Sequence, residues 1–191
     1  AMSIASGAHA FSDFIPYGFH KCHGIPKDQA GYMAAPVPFL GLVAFPVVGK
    51  VFKSYPKRHP ELIIASGVVM VVAHIPGAFE WSEWVGWYEA TLQGLSLAIL
   101  MGAAGGAIPG TLRLQPELIA AGYAWMAVLS AAFFVIFNQF LFLTFEHSDH
   151  WQNMNITPGE FPLIGTGLCI VLLGWAYGRT DRAYLEPDPE P

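Results

Sequence analysis

The stretch LIIASGVVMVVAHIPGAF, residues 62–79, decides what kind of protein this is. It contains no Asp, Glu, Lys or Arg, and a single ionisable side chain, His74, interrupts its aliphatic run. A hydrocarbon core about 30 Å thick needs about 20 mostly apolar residues in a helix, so the stretch reads as a membrane crossing. A crossing segment must satisfy its own backbone polar groups, which makes it a helix. Four further segments have the same character: about Met33 to Val51, Thr91 to Ile108, Leu118 to Phe145 and Phe161 to Tyr177. The segment from Leu118 is long enough to tilt or project beyond the bilayer. None shows the alternation of a membrane β-barrel. The expected fold is all-α, a polytopic membrane helix bundle of about five transmembrane helices.

Composition agrees. Of 191 residues, 54% are hydrophobic and 12% charged, against about 25% charged in an ordinary soluble domain. The mean hydropathy is +0.45. These values exclude a disordered chain and an ordinary cytosolic enzyme. A net charge of −5 offers no basic surface, so no nucleic acid partner is expected. Two cysteines, Cys22 and Cys169, are too few for a disulfide framework.

Charge placement orients the bundle. Lys50, Lys53, Lys57 and Arg58 follow the first segment, Arg113 follows the third, and Arg179 and Arg182 follow the fifth. Seven of the nine basic residues therefore share one side. The positive-inside rule puts the N-terminus outside and the C-terminus inside. The outer side then carries most of the acidic residues, Glu89 and Glu160 among them, and every histidine except His59. Residues 1–30 read as an outer arm, 31–178 as the transmembrane domain and 179–191 as an acidic, proline-rich inner tail. The chain opens Ala1-Met2-Ser3, which fits either a cleaved targeting segment or an added residue. Thylakoid, mitochondrial inner and bacterial inner membranes all suit this pattern.

Five features carry potential chemistry. Glu146, His147, Asp149 and His150 cluster at the outer end of the fourth segment. Carboxylates and imidazoles on one helical face suit iron, copper or zinc, and a hydrated helix end gives the same composition. His74 is ionisable within a crossing segment, which makes it a functional candidate by default, as a ligand to a haem iron, chlorophyll magnesium or another metal. The run Glu80 to Glu89 holds three tryptophans and reads first as an interfacial aromatic belt. Its sharper reading brings Glu80, Glu83 and Glu89 to His74 and to the Glu146–His150 cluster. Gly94, Ala98, Gly102, Gly106 and Gly110 recur every four residues, a small-residue stripe for close helix packing. His20, Cys22 and His23 in the arm form a short match to a copper or zinc site.

No glycine-rich phosphate loop, Gly-x-Ser-x-Gly elbow or His-Glu-x-x-His motif occurs. The leading expectation is therefore a non-catalytic integral-membrane subunit of a photosynthetic or respiratory energy-converting complex. Such a subunit packs against other integral-membrane subunits and lipids and contacts chlorophyll, carotenoid or quinone, with His74, Glu80 and Glu83 as cofactor-binding residues. A small membrane metalloenzyme with an outward-facing His/carboxylate site is the alternative. A third is a lipid- or sterol-binding or isomerising bundle with an acid–base pair.

Overall fold

The computed structural model describes residues 16–21, 23–54, 58–79, 82–111, 116–146 and 160–185. Backbone alone is described for 45, 52–53, 104–111, 116, 141, 144–146 and 180–185. Among the described residues the chain is helical almost throughout, with no strand. Six helices are defined: α1 (Lys27–Ala34), α2 (Pro36–Ser54), α3 (His59–Phe79), α4 (Glu83–Thr111), α5 (Ile119–Glu146) and α6 (Glu160–Leu185).

Local chemistry accounts for the helix boundaries. A short helical piece over residues 16–21 precedes Gly24, whose φ of 68° takes the left-handed conformation that glycine adopts without steric cost. Pro26 caps α1, and Asp28 in its first turn meets the positive end of the helix dipole. Pro36 opens α2, where a missing N–H costs nothing. Ser82 precedes α4 and accepts the Val85 N–H at 3.4 Å through its hydroxyl. Pro76 lies within α3 and cannot donate to the Val72 carbonyl four residues back. That carbonyl accepts instead from the Tyr88 hydroxyl of α4 at 3.3 Å.

Among the described residues, four spans are long and apolar enough to cross a membrane: Lys27–Val51, His59–Phe79, Ile119–Phe140 and Glu160–Arg179. The sequence leads one to expect five. The fifth expected segment, Thr91 to Ile108, lies within α4, whose side chains beyond Ala103 are outside the described residues. Most of the α4 residues described between Glu89 and Ala103 face inward, and Glu89, Gln93, Ser96 and Leu100 are buried. The outside of the bundle is the apolar side, with Val68, Val72, Leu168, Leu172 and Trp175 exposed. Ser66, His74, Glu89, Gln93, Ser96, Glu160 and Thr166 are buried. Apolar outside with polar inside is the arrangement for a hydrocarbon solvent.

The close helix contacts rest on small residues. α3 runs along α6, and Gly67 meets Gly167 at the crossing. A Cβ at Gly67 would stand 2.6 Å from the Gly167 carbonyl oxygen, and one at Gly167 2.8 Å from that of Gly67. α4 packs against both α2 and α3. A Cβ at Gly94 would lie 2.8 Å from the Val37 carbonyl oxygen, so the small-residue stripe meets α2 at this point. Ala98 is buried and Gly102 half-buried, while the surroundings of Gly106 and Gly110 lie outside the described residues. Ser66 and Ser96 lock α3 to α4 reciprocally, each hydroxyl donating to the other's carbonyl at 3.1 and 2.9 Å. α5 stands apart: its most apolar span has no buried residue, although Phe137 reaches the core.

The arm and the tail are more helical than the sequence suggests. Phe19 and Met33 close over Gly86 at the start of α4, and the Gln29 amide donates to Glu83 Oε1 at 2.8 Å. At the other end α6 continues to Leu185, so 179–185 are helical rather than tail.

Candidate metal centre

Three helix ends meet at one end of the bundle: the last turns of α3, the first turns of α4 and the first residue of α6. Each contributes one ionisable side chain. His74 lies on α3 two residues before Pro76, Glu89 lies on α4 one turn before Gln93, and Glu160 opens α6. All four polar side chains are buried, none more than 1% exposed.

His74 is held on both edges. Nδ1 is 2.6 Å from Glu160 Oε2, and Nε2 is 2.6 Å from Gln93 Oε1. An Nε2–H donated to Gln93 leaves Nδ1 turned toward the carboxylate. Glu89 stands beside this pair and leans on the α3 backbone at Gly77. A Cβ at that position would run into the Glu89 carboxylate, and would come within 3.4 Å of the Glu160 carboxyl carbon. The missing side chain of Gly77 therefore makes the room the carboxylates occupy.

Glu160 Oε1 has no hydrogen-bond partner, and the Glu89 carboxylate has no side-chain partner, only the Gly77 backbone beside it. Burying a carboxylate without a partner is costly, and in a membrane interior more so. One ligand atom each from His74, Glu89 and Glu160 lie within 4.8 Å of one another. Two carboxylates and an imidazole reach electroneutrality by holding two positive charges, either two protons or one divalent ion. A metal about 2.1 Å from each ligand sets ligand separations of about 3–4 Å.

The residues singled out from the sequence are distributed unevenly around this centre. His74 is in it. Glu83 is not: it is exposed at the start of α4 and bonded to Gln29. Together with Trp84 and Trp87 it lines a half-open hollow of about 600 Å³. Glu80, His147, Asp149 and His150 lie outside the described residues, as do Cys22 and the side chain of Glu146. His20 is occupied locally, its Nδ1–H donating to the Ile25 carbonyl at 2.7 Å. Glu160 and Gln93 were not expected at the site. Two signals pointed to them: Glu160 abuts an apolar segment, and Gln93 falls one helical turn after Glu89.

No protein-family model matches this chain, and neither does any curated protein or solved structure.

Proposed function

We propose that this chain is a multi-pass integral-membrane protein whose working part is an intramembrane cation site formed by His74, Glu89 and Glu160. The observation that carries this reading is that two fully buried carboxylates, Glu89 and Glu160, leave three oxygens with no side-chain partner. Structural ion pairs in membrane interiors are normally complete, because each unanswered charge is expensive. A site with oxygens to spare suits a bound ion. The proposed topology has five crossings, with α4 as the inner one, the N-terminus outside and the C-terminus inside. The cation site then lies toward the outer face.

The test is thermal unfolding of the detergent-purified chain against a panel of alkali, alkaline-earth and transition-metal ions, after treatment with a chelator. An ion that binds only the folded chain raises Tm with concentration. The reading fails if no ion in the panel moves Tm. For the topology, cysteine labels at Lys53 and Arg179 should react from one side, and labels at Glu83 and Asp149 from the other.

A second reading, a subunit of a larger membrane assembly, is favoured by α5. This helix is apolar apart from a few residues, Asn138 and Gln139 among them, and leaves Trp125, Val128, Val135, Ile136 and Phe140 exposed. Partner helices, pigments or quinones suit such a surface, and so do lipids. Native-detergent purification separates these outcomes by the size and absorption of the isolated particle.

A further inference from the structure

We infer that the ion is a first-row transition-metal dication such as Mn, Fe, Co or Zn, bound by His74 Nδ1 with oxygens of Glu89 and Glu160. This inference rests on the cation-site reading above and narrows it. Sodium, magnesium and calcium take oxygen ligands, whereas an imidazole nitrogen among the donors selects the transition metals. Two carboxylates balance the charge of a dication, leaving the buried centre neutral.

The shape of the site assigns the roles. Gln93 Oε1 lies 2.6 Å from His74 Nε2, where it accepts the ring N–H. A partner of this kind fixes the tautomer and the ring plane of a ligating histidine. It leaves Nδ1 as the nitrogen that faces Glu160 Oε2. The ion takes the place of the positive charge that otherwise lies between those two atoms. Glu89 and Glu160 Oε1 bring the oxygens that lack a side-chain partner, and Gly77 leaves the space in which Glu89 turns toward the ion. Gln93 and Gly77 are positioning residues.

The experiment uses the whole chain, purified from membranes in mild detergent, stripped with a chelator and titrated with Co(II). Visible d–d absorption and metal content per chain are the readouts. One Co(II) per chain is expected, with d–d bands that a large excess of Mg or Ca does not remove. Glu89→Gln and Glu160→Gln should abolish the bands. Gln93→Leu should weaken binding about 10–100-fold and shift the bands. Displacement of cobalt by Mg or Ca overturns the transition-metal assignment and leaves the cation site standing. Undiminished binding by a folded His74→Gln variant does the same. If no ion of any class binds a wild-type chain that is helical by circular dichroism, both readings fall. The wild-type titration decides the matter even where a variant does not fold.

Discussion

Glu160 Oε2 lies 2.6 Å from His74 Nδ1, with both side chains wholly shielded, although the two residues are 86 positions apart in the chain. The contact joins the last turns of α3 to the first residue of α6. Along the same pair of helices, Gly67 and Gly167 bring the backbones together. The close crossing and the buried pair thus belong to one helix interface, which continues beyond Gly67 to Gly178 against Pro60.

Removing one member of the pair strands the other. His74→Ala removes the partner of both Glu160 Oε2 and Gln93 Oε1 and leaves a buried carboxylate unanswered, and should cost about 3–5 kcal/mol. Replacing both His74 and Glu160 with leucine should cost less than the sum of the two single changes, because neither charge is left behind. Unfolding of the three variants in detergent measures the coupling. Strict additivity would mean the contact contributes no coupling energy.

The α3–α6 crossing tolerates no Cβ. Gly67→Ala should destabilise the bundle by about 1–3 kcal/mol, because the new methyl meets a backbone carbonyl that cannot swing away. Gly41→Ala is the control: nothing lies within 4 Å of that position. The second variant should match or exceed the wild type in Tm, since alanine is the better helix former.

Tyr88 answers the carbonyl that Pro76 leaves open. Tyr88→Phe should cost about 0.5–1.5 kcal/mol. In a Pro76→Ala background the restored N–H serves Val72, so the same change should cost less. Equal losses in both backgrounds would show that the hydroxyl does not serve that carbonyl.

Acid should loosen the arm. Burial beside Phe19 lowers the His23 pKa from 6.5 to about 4. The unfolded arm therefore takes up a proton more readily than the docked one. The His23 contribution is complete above pH 6.5 and declines as pH falls toward 4. The protection of the described arm amides against hydrogen exchange, taken relative to the intrinsic rate at each pH, should fall across that window. His23→Phe should flatten the dependence, and an unchanged profile would place the sensitivity elsewhere.

Much of the fold was legible because hydropathy is additive along a chain. Each of the five apolar segments falls within a helix or, for Met33–Val51, across the joined pair α1–α2. The errors lie at the ends, where the site is. Starting the third segment at Thr91 set Glu89 just outside the bundle, because three acidic residues and three tryptophans within ten positions read as an interface. Starting the fifth at Phe161 excluded Glu160 by one residue. A charge ends an apolar segment by definition, so the reading that finds membrane helices discards the carboxylates placed inside them.

Sequence by itself determined the solvent and the class of fold. Long uncharged runs with no water-facing stripe suit hydrocarbon, and hydrocarbon admits only structures that close their own hydrogen bonds. It also marked His74, because an ionisable group in such a run demands an explanation. Only the tertiary structure decided which groups answer it. Glu160 and Gln93 reach the two edges of the ring from different helices, and Glu89 fits beside them because Gly77 has no side chain. The energy of a buried carboxylate depends on what surrounds it in space, and that is set where α3, α4 and α6 converge.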